Sequence, residues 1–334
     1  MRCHVYRPEL FCQESIGTEA TAFQQLQSTP LNTDVNYLAA PWSVLLNRER
    51  RRLKNAPRIQ LDGGFTICQH IDFERIIPIC RGLGLDTLFT PHVPRGFCLS
   101  GHDRCWMRHG VMKTLAQASG LESRLALQRV QGPFRVLPFP HLSIHGVQPA
   151  KKSIWYSFIG CNTHATRTVL FQLPVHRQAL VRERQVWHFQ ASERLQKLFK
   201  REYQHVLART RFSLCPRGTG PSTLRFWESL QAGAIPVLIS DDMQLPAGVD
   251  WQRSIVRIAE RDAAQVERIL ADIPLREEQE LRRECIAAYR RFSGDYFVSC
   301  IRRFYCEPSG DELPVADFQS EGTLPRAQVS ITHA

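Results

Sequence analysis

The sequence predicts an α/β protein built from two domains, each with a parallel sheet. Short apolar runs alternate with amphipathic helical segments along most of the chain, which is the pattern of parallel strands joined by helices. Residues 212–250 show it most clearly, as strand, glycine-rich turn, helix, strand and acidic loop. With 334 residues, the chain can supply each of two domains with its own core.

The first domain is predicted to span residues 1–148. Residues 1–57 have no regular pattern apart from an Arg-rich, helix-like stretch at 44–54. Apolar runs and helical periodicities define the rest of the domain. Pro78 interrupts the first of the two helical segments, and Gly120 interrupts the second. The strands are expected at residues 61–68, 85–90 and 134–139, with helices at 73–81 and 106–127. The Pro-rich segment 138–149 predicts the connection to the second domain.

The second domain is predicted to span residues 149–295, followed by a partly disordered tail at 296–334. The same alternation of patterns continues through it. Strands are expected at residues 154–159, 212–215, 235–239 and 254–258, with helices at 165–184, 192–209, 221–232, 262–273 and 275–292. The helix at 192–209 has apolar residues on one side, which we expect to be buried: Leu195, Leu198, Phe199, Tyr203, Val206 and Leu207.

The turn after the strand at 212–215 has the properties of a phosphate site. Its residues 217–220 are Arg-Gly-Thr-Gly, and glycines let backbone N–H groups approach a ligand closely. Pro221 suits a first helical residue, with Gly220 or Ser222 as the cap. A helix N-terminus, N–H groups and an arginine therefore converge where they can hold an anion.

Residues 215–246 contain the pattern CPRGxGxSxRxWExLxAGxIPVxxSDxxxLP. This run resembles the donor site of exostosin-like glycosyltransferases of the GT47 type, as does Asp250-Trp251 followed by the strand at 254–258. The resemblance is strong across residues 200–262 and weaker at 156–160. It implies a GT-B fold, in which two Rossmann-like domains face each other across a cleft. It also implies an inverting transfer from a UDP- or GDP-sugar to a glycan or glycolipid acceptor, with no cofactor and no bound metal.

The resemblance implies roles for five residues around the turn. Arg217 would neutralise the donor diphosphate, helped by Gly218, Ser222 and Arg225, and Glu228 would accept hydrogen bonds from the ribose hydroxyls. Alternatives remain for four of them, since Arg217 can instead form a surface ion pair at the turn. Ser222 can act as a helix cap, Arg225 can orient Glu228 instead of binding phosphate, and Glu228 can pair with Arg225 within the helix. Lys200 and Arg201 are further, weaker candidates for contacts with the leaving diphosphate.

Inversion also needs a base to accept the proton of the acceptor hydroxyl, and we expect it in the first domain after a strand that faces the donor. His70 and His92 both follow predicted strands. Asp72 and Asp103 are weaker candidates. The sequence does not choose among them. No usable Asp-x-Asp pair is present, and the adjacent Asp241 and Asp242 are expected to form a turn after the strand at 235–239.

Charge and cysteine content limit the other readings. The net charge of +11 favours anionic ligands, but the sequence lacks a nucleic-acid-binding signature, so we expect no nucleic-acid partner and allow peripheral contact with an anionic membrane surface. Eleven cysteines include no Cys-x-x-Cys pair, which indicates free thiols. The cluster of Cys98, His102, Cys105 and His109 could bind zinc, but its spacing is more compact than that of common zinc fingers, and we favour a surface loop that enters a helix.

The first residues lack the apolar core of a signal peptide. Animal exostosin-like enzymes are anchored in the Golgi membrane, so we expect here a bacterial-style member that is cytoplasmic and either soluble or peripherally membrane-associated. The alternative to an enzyme of polysaccharide or lipopolysaccharide biosynthesis is a catalytically inactive protein that binds a nucleotide-sugar or a polyanion.

Overall fold

Five parallel strands form the first sheet in this computed structural model. Their order across the sheet follows the chain, β1 Arg2–Val5, β2 Asn36–Ala39, β3 Phe65–Ile67, β4 Thr87–Thr90 and β5 Arg135–Pro138. The structure describes residues 1–14, 16–48, 59–95, 97, 134–144, 146–187 and 190–306. The predicted helix at 106–127, Asp103 and the candidate zinc ligands Cys98, His102, Cys105 and His109 lie outside these residues.

Helices cover the first sheet on both faces, as a buried parallel sheet requires. One face packs against residues of α2 Trp42–Arg48 and α3 Ile77–Gly82, and the other packs against α1 Thr18–Ser28. The predicted helix at 73–81 is divided, since a 3-10 helix at Phe73–Ile76 precedes α3 and Pro78 lies in the first turn of α3.

Residues 1–57 contain regular structure that the sequence patterns did not predict. Strands β1 and β2 and helix α1 all lie within this segment. Each strand has only four residues, and β1 is an edge strand whose side chains are largely exposed. A short edge strand carries little apolar periodicity, so the prediction that this segment is irregular was wrong.

The second sheet also has five parallel strands, in the order β10-β9-β8-β6-β7. Its strands are β6 Ile154–Gly160, β7 Leu180–Glu183, β8 Thr210–Pro216, β9 Ile235–Ile239 and β10 Val256–Arg257. From β6 the chain first forms β7 on one side of β6. It then crosses to the other side of β6 to form β8, and β9 and β10 follow on that side. The order therefore reverses between β6 and β8, and such a switch point opens a crevice at the carboxyl ends of the two strands.

The helices of the second domain largely follow the predicted ranges. They are α4 Ala165–Phe171, α5 Glu193–Arg209, α6 Leu224–Gln231, α7 Trp251–Ser254, α8 Val266–Ala271 and α9 Leu275–Phe292. The predicted helix at 165–184 was wrong at its end, because β7 forms there. Helix α6 begins later than expected, with Thr223 as its N-cap, so neither Gly220 nor Ser222 caps it.

The prediction that all the apolar residues of α5 are buried was wrong for two leucines. Tyr203, Val206 and Leu207 are buried, but the Leu195 and Leu198 side chains are exposed. The second half of α5 packs against Val147 and against Ala232 and Ala234, which lie between α6 and β9. The first half is largely exposed.

The segment after α9 returns to the first domain. Helix α10, Tyr296–Cys306, includes residues assigned to the predicted tail, and its Phe297 ring stacks on Phe139 with centroids 5.0 Å apart. Gln25 of α1 accepts a hydrogen bond from the Phe297 backbone N–H at 3.0 Å. Residues 307–334 lie outside the described part of the chain. Within the described residues, no helix combines the length and apolarity that a bilayer crossing requires.

The carboxyl ends of the two sheets face each other. Pro94 and Met243 form an antiparallel bridge, and the Arg95 N–H donates to the Asp242 carbonyl at 2.7 Å. These segments follow β4 in the first sheet and β9 in the second. Two Rossmann-like sheets thus meet across their carboxyl edges, which confirms the predicted α/β class and the two-domain GT-B architecture.

Candidate donor-binding site

The arginine turn, residues 217–223, occupies the switch point of the second sheet. It joins β8 to α6, and the Arg217 N–H donates to the Ile239 carbonyl of β9 at 3.0 Å. The Gly218 N–H donates to the Gly220 carbonyl at 3.2 Å, and the Ser240 hydroxyl donates to the Pro221 carbonyl at 2.9 Å. These bonds fix the turn at the position where open α/β sheets bind ligands.

The Arg217 guanidinium lies inside this crevice, with its side chain 12% exposed. Its Nη1 contacts Asp242 Oδ2 at 2.9 Å and Glu260 Oε1 at 3.4 Å. Its Nε is buried and has no hydrogen-bond partner among the described residues. The charge of Arg217 is therefore met by two carboxylates, while its buried Nε–H group makes no hydrogen bond with the described residues.

A reciprocal pair of hydrogen bonds holds the acidic loop beside Arg217. The Asp241 N–H donates to Glu260 Oε1 at 3.0 Å, and the Glu260 N–H donates to Asp241 Oδ1 at 3.1 Å. Asp241 and Asp242 lie in a bend after β9, as predicted. In the part of the chain that the structure describes, no group of three His, Cys, Asp or Glu side chains is arranged to hold a metal ion.

Arg167, in α4, contacts the backbone of the arginine turn. The sequence patterns did not identify this residue. Its Nε donates to the Arg217 carbonyl at 2.8 Å, and its Nη1 donates to the Cys161 carbonyl at 3.0 Å. Burial lowers the pKa of Arg167 to about 10, and the charge of Arg225 acts in the same direction. Arg167 thus joins the ends of β6 and β8, and only the order of the strands reveals this role.

Arg225, in the first turn of α6, reaches the end of β6. Its guanidinium donates to the Ile159 carbonyl at the end of β6 and lies over the rings of Phe158 and Tyr203, 4.9 Å from each centroid. Together with Arg167 and Arg217, it places three guanidinium groups around the ends of β6 and β8. Ser222 is buried, and its Oγ has no hydrogen-bond partner among the described residues.

Glu228 is inside the protein, since only 3% of the residue is exposed. Its Oε2 accepts a hydrogen bond from the Tyr203 hydroxyl at 2.6 Å. Burial raises the pKa of Tyr203 well above its usual value, and the neighbouring Glu228 carboxylate adds to this effect. Glu228 is therefore part of a packed contact between α6 and α5, and its role as a ribose ligand stays a prediction.

His92 of the first domain lies against the arginine turn. A Cβ built on Gly220 would lie 3.1 Å from His92 Nδ1 and 2.7 Å from Ile71 Cδ1. His92 Nδ1 is buried and has no hydrogen-bond partner among the described residues. Burial, with a smaller contribution from the nearby His70, lowers the pKa of His92 to about 4, although a hydrogen bond with the Gln69 backbone acts in the opposite direction.

His70 has both of its ring nitrogens engaged within the first domain. Its Nε2 contacts Asn47 Oδ1 at 2.9 Å, and its Nδ1 accepts a hydrogen bond from the Asp72 N–H at 3.0 Å. The Asp72 carboxylate lies 3.8 Å from Arg75. Of the two histidines that the sequence offered as bases, His92 is the one that the structure shows against the turn that carries Arg217.

The second half of the chain is similar to a known family. Residues 136–273 match the exostosin GT47 domain. The chain is 38% identical to an exostosin-1 homolog of Caenorhabditis elegans over 90 residues, which cover 26% of this chain and 24% of that protein. It is 40% identical to a probable glucuronosyltransferase of Oryza sativa subsp. japonica over 70 residues, which cover 20% of this chain and 16% of that protein.

A probable β-1,4-xylosyltransferase of Arabidopsis thaliana is 38% identical over 74 residues, covering 22% of this chain and 18% of that protein. The chain thus aligns with less than a quarter of the length of these relatives. Among solved structures, Anabaena HepE in complex with UDP matches at 10% identity, covering 91% of this chain and 98% of that one, with a TM-score of 0.41. The family match instead covers the whole second sheet and the arginine turn. Residues 136–273 of this chain are therefore similar to the exostosin GT47 domain.

Proposed function

We propose that this protein is a glycosyltransferase that moves a sugar from a nucleotide-diphosphate sugar to a hydroxyl group of a glycan. The observation that carries the proposal is the contact of His92 with the turn that holds Arg217. It brings a histidine of one domain to the arginine turn of the other, which supports a base beside an anion site. The exostosin GT47 domain and relatives described as glucuronosyltransferase and xylosyltransferase support the same reaction class.

The donor diphosphate would replace the two carboxylates that now contact Arg217. Arg217 Nη1 already makes charge-assisted contacts with Asp242 and Glu260, so a phosphate oxygen can take the same geometry. The partner-free Arg217 Nε and Ser222 Oγ offer two further contacts. Backbone N–H groups of the arginine turn add a favourable dipole, because helix α6 begins directly after it.

We further propose that the transfer needs no metal ion. The leaving diphosphate carries negative charge that must be neutralised as its bond to the sugar breaks. Three guanidinium groups, those of Arg167, Arg217 and Arg225, surround the carboxyl ends of β6 and β8. Their fixed positions would stabilise the leaving group without the reorganisation that water would need.

His92 would act as the base in an inverting displacement. The acceptor oxygen attacks the anomeric carbon while its proton passes to His92 Nδ1. The bond from the anomeric carbon to the β-phosphate oxygen breaks, and its electron pair stays on that oxygen. Because the pKa of His92 is lowered to about 4, its ring is neutral and able to accept the proton near pH 7.

Binding of UDP and GDP to purified variants, with and without EDTA, tests the donor site. Arg217→Ala should weaken diphosphate binding by about 10-fold to 100-fold, because it removes a charge-assisted contact. Arg182→Ala is a matched control, since Arg182 also pairs with a glutamate, Glu202, but lies on an exposed part of β7. Unchanged binding in Arg217→Ala and in Glu228→Ala would contradict the proposed donor site.

Transfer separates this proposal from the alternative of an inactive binding protein. A sugar nucleotide that binds should be hydrolysed or transferred at a measurable rate, and Arg217→Ala should abolish that rate. Tight binding with no turnover of any UDP- or GDP-sugar would instead support a protein that only binds nucleotide-sugars. Binding that EDTA removes would contradict the metal-free reaction.

A further inference from the structure

The first half of helix α5 and the segment just before it carry an unusual set of exposed side chains. Seven large apolar residues are exposed in the described chain, and four of them fall between residues 186 and 198. These four are Val186 at 41%, Trp187 at 52%, Leu195 at 39% and Leu198 at 58%. Single exposed apolar residues are common on protein surfaces, but a local concentration marks an interaction site.

Cationic residues lie next to the exposed leucines along α5. Residues 193–201 include four exposed cations, Arg194, Lys197, Lys200 and Arg201, and one acid, Glu193. On a helix, Leu198 lies four residues after Arg194 and three before Arg201, so all three share one face. We call these cations and the four exposed apolar residues the α5 patch.

Neighbouring contacts hold the two parts of the α5 patch together. The Arg184 guanidinium lies 4.0 Å from the Phe199 ring centroid and contacts Glu202 Oε2 at 2.8 Å. The segment that carries Val186 and Trp187 begins directly after Arg184, so it is tied to the first half of α5. Glu202 is thereby neutralised, and the surface next to it stays cationic.

We propose that the α5 patch docks the protein on an anionic lipid bilayer. Anionic headgroups complement the four cations, while Trp and Leu side chains can enter the boundary between headgroups and acyl chains. Nucleic acid would use the cations but not the exposed aliphatic residues, and a second copy of this chain would oppose two cationic faces. A lipid surface satisfies both kinds of side chain.

The position of the α5 patch gives this docking a direction. Helix α5 returns from β7 to β8, and both strands run parallel to β6, so α5 begins at the carboxyl edge of the sheet. The arginine turn lies at this same edge. Docking through the α5 patch therefore brings the carboxyl edge of the second sheet, which carries the arginine turn, toward the bilayer.

Sedimentation with vesicles tests the proposal on the full chain. The protein should bind vesicles with about one third phosphatidylglycerol at least about tenfold more tightly than vesicles of phosphatidylcholine alone. Added salt should weaken this binding. The triple variant Arg194→Glu, Lys197→Glu, Arg201→Glu should lose about 100-fold or more, since each basic residue contributes about fivefold and reversal adds repulsion.

Helix α9 supplies matched controls for both parts of the α5 patch. Arg276→Glu, Arg283→Glu, Arg290→Glu makes the same change in net charge on another exposed helix and should weaken binding far less. Leu198→Ser should weaken binding by about 10-fold, whereas Leu275→Ser, at a similarly exposed leucine, should not change it. Brominated lipid should quench Trp187 fluorescence, and Trp187→Phe should remove that part of the signal.

Four results would overturn the proposal. Equal weakening by the two triple variants would show that only net charge matters. Equal binding by Leu198→Ser and Leu275→Ser would show that the apolar residues do not enter the lipid. Tighter binding to oligo-dT than to the vesicles, or a dimer that Leu198→Ser dissociates in analytical ultracentrifugation, would assign the patch to a different partner. Donor binding in solution is a separate measurement, so failure here leaves the proposed function testable.

Discussion

Gly220 of the arginine turn lies against His92 of the first domain, so closely that a Cβ on Gly220 would be 3.1 Å from His92 Nδ1. The same Cβ would be 2.7 Å from Ile71 Cδ1. The two domains thus meet at a residue without a side chain, and the absence of a Cβ permits this approach. The distance between the proposed base and the proposed diphosphate site depends on this contact.

We expect Gly220→Ala to lower turnover more than donor affinity. The new methyl group can displace the flexible end of Ile71, but it also pushes His92 away from the turn, and misplacement by about 1 Å can cost 100-fold in rate. Gly82→Ala is the matched control, because a Cβ there meets no atom within 4 Å. Steady-state kinetics and nucleotide binding on both variants measure the effect. Equal turnover in the two variants would contradict a catalytic role for the Gly220–His92 contact.

We expect His92→Ala to lower kcat by about 100-fold to 10,000-fold, the usual contribution of a general base. Nucleotide affinity should stay within about threefold, because the donor contacts come from the second domain. His70→Ala should lose mainly stability, about 1 kcal/mol, since its ring makes hydrogen bonds to Asn47 and Asp72. A larger loss of kcat in His70→Ala would reverse this assignment of the base.

The lowered pKa of His92 also predicts the shape of the pH profile. A base acts in its deprotonated form, which dominates above its pKa, here about 4. The acid limb of kcat/KM should therefore fall below about pH 5, and the profile should be flat between about pH 6 and 8 on that side. An acid limb centred near pH 6.5, the ordinary value for histidine, would show that burial does not govern this group.

The second domain was predicted more accurately than the first, for physical reasons. Strand β9 and helix α9 have the bounds that the sequence predicted, because β9 is wholly buried and α9 has a long apolar stripe. Strands β1, β2 and β7 have four residues each and were missed. Short strands take their conformation from their neighbours in the sheet, and this information is not local in sequence.

The candidate site could be proposed from the sequence where its residues are continuous in the chain, and not where they come from separate segments. Residues 215–246 identified the arginine turn, but Arg167 reaches the turn only because β6 and β8 are adjacent in the sheet. The choice of His92 over His70 depends on a contact between domains. The exposure of Leu195 and Leu198 could not be predicted either, since periodicity gives the face of a helix but not what covers it.

We expect Asp242→Asn to tighten donor binding. Asp242 lies 2.9 Å from Arg217 and competes with phosphate for its guanidinium. Because the pair is partly exposed, its loss is worth about 1 kcal/mol, so affinity should rise about threefold to tenfold. Asp34→Asn, which removes an exposed partner of Arg2, is the control. Two results together would instead identify Asp242 as a metal ligand: weaker donor binding by Asp242→Asn, and donor binding that added Mn²⁺ strengthens in the wild type but not in the variant.

Glu14 and Glu19 predict that the protein becomes less stable as the pH rises toward neutral. Burial raises the pKa of Glu14 from 4.5 to about 7 and that of Glu19 well above 4.5, and each also interacts with the other. The folded state then binds more protons than the unfolded state above about pH 4.5, so the free energy of unfolding decreases as the pH rises through about 7.

We expect Glu14→Gln to raise Tm at pH 8 by about 2–8 °C and to leave it nearly unchanged at pH 5. The amide imitates the protonated carboxyl group and needs no proton, so the cost of about 1–3 kcal/mol that ionisation imposes at pH 8 disappears. Glu277→Gln, at an exposed position of α9, should give no pH-dependent difference. Some slope should remain in the variant, because burial also raises the pKa of Glu74 to about 7. A lower Tm for Glu14→Gln at pH 8 would mean that the ionised carboxylate stabilises the first domain.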